Sequence, residues 1–174
     1  MKNFMYWDVV EAELIKILTD ALPMEIASKI ISGDFKNVPV PSDGEKFRSF
    51  FPAVLVSITD DIIAYDNAGL MPTTQAYCFK IYYLCIDNGR SGKTGIESRK
   101  AAKQICNVLM NNRTLSDLYI EKSETEVGMQ GMGGEVNAVN FESEITELFY
   151  QMDVPVHVTS VDYQYWIKTF RVNT

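Results

Sequence analysis

Residues 76–109 read "AYCFKIYYLCIDNGRSGKTGIESRKAAKQICNVL", and the order of segments in this stretch decides the fold. Residues 76–86 are apolar at both odd and even positions, which predicts a strand that is buried on both faces of a sheet. From about Glu97 the apolar residues recur at helical spacing, which predicts an amphipathic helix packed on that sheet. The predicted buried stripe of the helix consists of Ala101, Ala102, Ile105, Val108 and Leu109.

The glycine-rich connection between this strand and helix invites comparison with a phosphate-binding P-loop, G-x-x-x-x-G-K-[ST]. Residues 92–94 (Gly-Lys-Thr) match the end of that pattern, but Asp87 occupies the position of its first glycine. A carboxylate at that position repels a phosphate. Gly95 also predicts that the helix begins only near Glu97, whereas a P-loop helix begins at the Gly-Lys-Ser/Thr. The sequence therefore predicts a flexible connection and no nucleotide site.

The segments before this stretch add two helices and a strand. Helical spacing predicts a helix over residues 4–22 and a short second helix over residues 24–31, which Gly33 ends. The run "PAVLVSI", residues 52–58, predicts a central strand. A connection or hairpin is predicted around Asp66, Asn67 and Gly69.

The second half of the chain carries a glycine-rich segment and further strands. Residues 121–137 have several glycines and no core pattern, which predicts a mobile loop or arm. Residues 139–149 alternate, with Glu142 and Glu144 on the solvated face. The predicted core positions of that strand are Val139, Phe141, Ile145 and Phe149. Residues 151–174 predict one or two more strands.

Together these elements predict the α+β class: a single two-layer domain with a mixed or antiparallel sheet of about four to five strands and helices packed on one face. We assign residues 1–150 to this domain and residues 151–174 to a C-terminal strand extension of it.

Composition limits the possible partners. The chain has 174 residues with a formal net charge of −7, and 47% of the residues are hydrophobic. This charge argues against wrapping nucleic acid, which requires a basic surface, but it is compatible with DNA passing nearby. The acidic start of the chain predicts no signal peptide, and no apolar run reaches the length of a membrane span. Cys78, Cys85 and Cys106 form no C-x-x-C motif and indicate buried thiols in a reducing compartment.

The sequence offers no catalytic, cofactor or metal site. His157 is the only histidine, and it lies between two valines on an alternating strand, which predicts a solvent-facing or interface residue. Asp60 and Asp61 are strand neighbours that point in opposite directions, so they form no carboxylate dyad. Glu142 and Glu144 are interpreted as solubility or interface charges. We therefore expect that the protein is not an enzyme.

Several of these pieces occur together in one known family. They are Gly33–Asp34 after the first helix, the strands "FPAVLVSI" and "YCFKIYYLCI", an Ala-rich helix ending in "VLMNN", and the late segment "VNAVNFESEIT". This arrangement resembles the tail-terminator and tail-completion (head–tail joining) proteins of tailed bacteriophages, especially those of Mu-like prophages. The resemblance covers roughly residues 5–150.

The resemblance implies a structural part of a virion. Such proteins form a homo-oligomeric ring, commonly a hexamer, which caps the tail tube, meets the head connector and lets DNA pass through. The implied location is the virion tail, with assembly in the cytoplasm of the bacterial host and no membrane or specific nucleic-acid binding. The candidate assembly contacts are Gly128, Met129, Gly131, Met132 and Trp166. Two alternatives remain: an adaptor or structural subunit of a contractile secretion apparatus, and a nucleotide-binding enzyme.

Overall fold

The computed structural model describes residues 7–39, 42, 44–65, 72–87, 93–115, 121–122 and 127–171. The helices are α1 (Trp7–Ala21), α2 (Gly44–Phe50), α3 (Lys93–Asn111) and α4 (Ser143–Gln151), with a short 3-10 turn at Phe35–Asn37. The strands are β1 (Lys29–Ser32), β2 (Ala53–Tyr65), β3 (Pro72–Ile86), β4 (Glu121–Lys122), β5 (Val127–Phe141) and β6 (Val156–Arg171). These elements confirm the predicted α+β class.

The strands form one mixed sheet in the order β1-β2-β3-β6-β5-β4. β1 pairs with β2 in parallel, and the other neighbours are antiparallel. β3 occupies an interior position, as its two apolar faces predict. β6 lies between β3 and β5, so residues 156–171 form an interior strand of the sheet rather than an edge.

Helices α1 and α3 cover one face of the sheet. Their apolar stripes pack against alternate residues of β2, β3 and β6, and Leu14, Ile105 and Val161 are fully buried there. Two tyrosines of β6, Tyr163 and Tyr165, lie in the same core. Burial of this large apolar area is the main source of the stability of the fold.

The opposite face is covered at one end by α2 and α4, so the prediction of helices on one face alone is wrong. Leu55, Leu84 and Val158 alternate with the residues of the first core and are fully buried under Phe50 of α2 and Phe149 of α4. The reason is the apolar character of both faces of β2, β3 and β6, since each face needs a cover.

The predicted second helix over residues 24–31 is also wrong. The backbone N–H groups of Ile26 and Ala27 both donate to the carbonyl of Pro23, which makes a single turn, and residues 29–32 then form β1. Ile30 pairs with Val54 of β2. A short segment between Pro23 and Gly33 cannot build a stable helix, whereas β-branched residues pack well beside a buried strand.

Helix α3 begins at Lys93 and includes Gly95, so the prediction of a start near Glu97 is wrong. Gly95 lies in the first helical turn, where the N–H groups have no partner within the helix in any case. The absence of a side chain also leaves space beside His157, because a Cβ at position 95 would lie 3.9 Å from its Nε2 atom.

The strand predicted over residues 139–149 ends at Phe141, and residues 143–151 form α4. Ile145 and Phe149 are four residues apart, a spacing that suits a helix as well as a strand. Phe149 is buried as predicted, but Val139 and Phe141 are exposed. The predicted core position is therefore confirmed for Phe149, Ile145 is partly buried against the same core, and the prediction is wrong for Val139 and Phe141.

The glycine-rich segment predicted as a mobile arm is instead most of β5. From Val127 to Phe141 it pairs with β6, and register shifts occur between Gly131 and Gly133 and between Val136 and Ala138. Residues 128–134 are therefore part of the sheet.

The hairpin predicted around Asp66, Asn67 and Gly69 lies outside the described residues, although the flanking strands β2 and β3 pair with each other.

Candidate functional site

The candidate assembly residues lie on β5 and β6. Gly128 and Met129 pair through their backbones with both β4 and β6. Gly131 lies opposite Ile167 at the first register shift. Met132 lies within that shift, and 55% of its surface is exposed. Met132 is therefore the only one of the predicted methionines whose side chain is described, and it is open to a partner.

Trp166 lies opposite two small residues on the face that α2 and α4 partly cover. Its register partners are Ala76 on β3 and Gly133 on β5. Directly paired residues of an antiparallel sheet point to the same face, so the indole has no large neighbour across either strand. Trp166 remains half-buried. The structure thus brings Trp166 next to the Gly131–Gly133 register shift, whereas Gly128 and Met129 lie further along β5.

Two adjacent glycines of β5 are explained by their local geometry. Gly133 has a φ of +130°, which disfavours other residues. A Cβ at Gly134 would overlap the phenol ring of Tyr163. The N–H of Gly134 donates to the carbonyl of Arg113 at 2.7 Å. These glycines therefore serve backbone conformation and packing rather than flexibility.

Among the described residues, the outer edge of β5 has few pairing partners. Within the described part of the chain, β4 pairs only with Gly128 and Met129, and the remainder of β5 pairs only with β6. The bond from Gly134 to Arg113 covers one point of that edge. Unpaired strand edges favour pairing with another chain, and folded proteins usually protect them.

A cavity of about 360 Å³ lies where the open end of β5 meets the start of α3. Its lining residues are Gly95, Arg99, Val139, Asn140, Phe141, His157 and Thr159. The ring of Phe141 stacks on the ring of His157, with centroids 4.7 Å apart and an interplanar angle of 28°. Phe141 still exposes 54% of its surface, so the cavity has an apolar wall that faces outward.

His157 adds a polar group to the cavity. Burial lowers the pKa of His157, the nearby Arg99 acts in the same direction, and the charge of Asp87 opposes both. The imidazole is therefore neutral at pH 7, and Arg99 is the permanent cation of the cavity. The Nδ1 atom of His157 is buried and has no hydrogen-bond partner among the described residues.

A polar cluster lies on the opposite face of the sheet. Lys80 Nζ lies 2.8 Å from Glu142 Oε1, and Ser160 donates a hydrogen bond of 2.5 Å to the same oxygen. Lys80 is also 4.0 Å from Asp162, which accepts a hydrogen bond from Asn140. Glu142 therefore connects β3 and β6 to the start of α4 and is not a free solubility charge, whereas Glu144 is exposed.

The charge states in this cluster follow from its contacts. Burial raises the pKa of Glu142, but the hydrogen bonds from Lys80 and Ser160, together with the charge of Lys80, outweigh burial and leave that pKa below its usual value. The hydrogen bond to Glu142 is the main reason that the pKa of Lys80 is raised, although burial opposes it. Both groups are charged at pH 7, and their opposite charges hold the cluster together.

Asp87, at the position of the first P-loop glycine, holds two other elements in place. Its carboxylate accepts hydrogen bonds from Thr94 at 3.0 Å and from the hydroxyl of Tyr150 on α4. Burial and this bond raise the pKa of Tyr150 to about 12. In a P-loop, the hydroxyl at position 94 would bind the metal ion of the nucleotide. Here it binds a carboxylate of its own chain.

Among the described residues, the remaining candidate groups form no further site. The three cysteines are partly buried, and burial raises the pKa of Cys85 to about 12. Among the described residues, no group of His, Cys, Asp and Glu side chains is arranged to hold a metal ion. None of the described helices is long and apolar enough to cross a membrane. Comparison of the sequence with protein-family models and with curated proteins finds no match.

Proposed function

We propose that this protein is a structural subunit of the tail-terminator or head–tail joining class, which caps a phage or prophage tail tube and joins it to the head as an oligomeric ring. The observation that carries the proposal is the outer edge of β5, which pairs with no described strand beyond Met129, together with the exposed apolar residues of β5. Three apolar residues of this strand are more than half exposed: Met132, Val139 and Phe141. Ile96 of α3 is also exposed, near the cavity at the end of β5.

Exposed apolar residues next to an open strand edge favour a protein–protein contact. Exposed apolar patches commonly mark interaction sites, and an open edge adds unpaired backbone N–H and carbonyl groups. A partner chain that covers β5 removes both features from water. Self-association in a ring supplies such a partner for every subunit.

The charge of the chain suits the same function. With a formal net charge of −7, a ring of these subunits repels the phosphates of DNA in its channel. DNA then passes without being held. In this proposal the ring contacts the tail-tube protein on one side and the head connector on the other, in the virion tail, after assembly in the host cytoplasm. The role is structural and requires no cofactor.

The test begins with the mass of the purified protein. Sedimentation velocity over a range of concentrations should show association, and electron microscopy should show rings on tubes of the tail-tube protein of the same phage or prophage. The double variant Val139→Ser/Phe141→Ser should fold normally but cap the tubes at least about tenfold less well, because a polar residue weakens the apolar contact. Lys16→Ser, on the exposed face of α1, is the matched control and should behave as wild type.

Two outcomes would contradict the proposal. A folded wild-type protein that neither associates at high concentration nor binds tube ends would show that it is not a terminator. Binding only to tubes from a contractile secretion apparatus would favour the alternative adaptor function instead.

A further inference from the structure

The outward face of α3 is basic, although the chain as a whole is acidic. Arg99, Lys100 and Lys103 are exposed at steps that place them on one side of the helix. Ile96 and Met110, both 53% exposed, extend this stripe at its two ends. The basic face of α3, defined by these five residues, therefore combines cations with apolar contact area.

The outward face of α4 has the opposite charge. Glu144 and Glu147 are exposed on this helix, and Asp153 is exposed just after it. Leu148 and Met152, each 54% exposed, lie beside these carboxylates. The acidic face of α4, defined by these five residues, also combines charge with apolar contact area.

These two faces lie on opposite sides of the sheet. α3 packs in the core that contains Ile105 and Val161, whereas α4 packs through Phe149 in the core that contains Leu84 and Val158. One subunit therefore presents a basic helix on one side and an acidic helix on the other. A contact between the two helices of different copies is head-to-tail, and such contacts generate rings or filaments rather than closed pairs.

We propose that the basic face of α3 binds the acidic face of α4 from the next copy of this chain. The inference rests on the proposed ring and adds a contact between helices of neighbouring subunits to the contact at β5. In this arrangement Glu144 and Glu147 of one copy face Lys100 and Lys103 of the next. Complementary charges of this kind fix the register of a contact and disfavour wrong pairings.

The apolar residues of the two faces also match. The cavity beside the first turns of α3 has a volume of about 360 Å³ and an apolar wall at Phe141. This volume is at the lower end of the range for sites that enclose a small group, about 300–1,000 Å³. Leu148 of the neighbouring copy is exposed and enters this cavity while its adjacent carboxylates approach Arg99. The contact thus buries Leu148 and Phe141 together.

The test uses two charge-reversed variants. Variant one carries Lys100→Glu and Lys103→Glu, so both of its helices are acidic. Variant two carries Glu144→Lys and Glu147→Lys, so both of its helices are basic. Each variant alone should self-associate at least about tenfold less tightly than wild type, because like charges then meet at every contact. An equimolar mixture should recover association, since acidic and basic helices alternate again along the assembly.

Sedimentation velocity measures association, and circular dichroism confirms that each variant is folded. The control is Lys16→Glu/Lys36→Glu, which makes the same charge change as variant one on exposed residues that belong to neither α3 nor α4, and it should associate as wild type. If a double variant does not fold, the single reversals Lys103→Glu and Glu147→Lys replace it in the same mixing experiment.

The outcomes separate this inference from the proposed function. Wild type that associates while the variants associate equally well, or a mixture that does not recover, would overturn the contact between α3 and α4 and leave the ring intact as a proposal. Wild type that never associates and never caps a tube would overturn both. Weakened self-association of both variants, together with recovery in the mixture, supports the head-to-tail contact. A symmetric contact between two copies of α3 would leave variant two associating as wild type, and one between two copies of α4 would leave variant one associating as wild type.

Discussion

The phenol ring of Tyr163 on β6 occupies the space that a side chain at Gly134 on β5 would need. Tyr163 is 1% exposed and belongs to the core that α1 and α3 cover. Its hydroxyl is buried and has no hydrogen-bond partner among the described residues, and burial raises its pKa above the usual value. The position of this one ring therefore requires glycine on the neighbouring strand.

Gly134→Ala should destabilise the protein by about 1–3 kcal/mol, because the added methyl group forces the ring or the strand to move. Urea denaturation followed by circular dichroism measures the change. Gly44→Ala is the matched control, since a Cβ at Gly44 meets nothing within 4 Å. It should leave the free energy of unfolding unchanged or raise it by up to about 1 kcal/mol. Equal losses for both variants would show that Tyr163 does not fill the space at Gly134.

Helices and strands whose apolar residues follow one clear spacing are predictable from the sequence. Those whose apolar spacing fits both a helix and a strand are not. The apolar runs in β2 and β3 and the stripes of α1 and α3 predicted the right structures. In α4, the interval between Ile145 and Phe149 fits both a strand and a helix. Only the packing of Phe149 against the sheet decides between these structures.

The sequence predicts a mobile arm for the glycines of β5, whereas the structure places them in a strand. The reason is that glycine occurs both in flexible loops and where a neighbouring side chain packs closely on a strand. A cluster of glycines lowers the expectation of a strand, but close approach of a partner side chain also requires glycine. At Gly134 the partner is Tyr163, which lies far away in sequence, so no local signal distinguishes the two cases.

The candidate site also depends on contacts between residues that are far apart in the sequence. Met132 and Trp166 are candidates by residue type alone, whereas the cavity at Phe141 and His157 depends on the pairing of β5 with β6.

Phe149 and Phe141 provide a direct test of where β5 ends. Phe149→Ala should lower the free energy of unfolding by about 3–5 kcal/mol, because the side chain fills the core between α4 and the sheet. Phe141→Ala should lower it by less than about 1 kcal/mol, since more than half of that side chain is in water. Thermal or urea denaturation of the two variants gives the comparison. A larger loss for Phe141 would mean that residues 139–149 form one continuous strand.

The Gly-Lys-Thr segment should bind no nucleotide. Asp87 places a carboxylate where the phosphates would lie, and the hydroxyl of Thr94 already donates a hydrogen bond to that carboxylate. Isothermal titration with Mg-ATP and Mg-GTP should therefore show no binding of micromolar affinity. Asp87→Gly is the informative comparison, because it restores the first glycine of the P-loop pattern. Micromolar binding by the wild-type protein would contradict this interpretation and revive the alternative of a nucleotide-binding enzyme.

Glu142 should make stability depend on pH in the acid range. The hydrogen bonds from Lys80 and Ser160, with the charge of Lys80, outweigh burial and place the pKa of Glu142 below its unfolded value of about 4.3. A group whose pKa is lower in the folded state stabilises the fold above its unfolded pKa. That contribution is lost as the pH falls through the folded pKa.

Glu142→Gln should therefore cost about 1 kcal/mol at pH 7, the value expected for a hydrogen-bonded ion pair that is partly exposed. The difference between wild type and variant should persist down to about pH 5 and shrink as the pH falls below about 4.3, because wild-type Glu142 then becomes protonated. Urea denaturation at pH 7, 5, 4 and 3 measures this trend. Glu144→Gln, on the exposed face of the same helix, should change stability by less than about 0.5 kcal/mol. A difference for Glu142→Gln that stays constant from pH 7 to pH 3 would show that its contact with Lys80 contributes no charge-dependent stability.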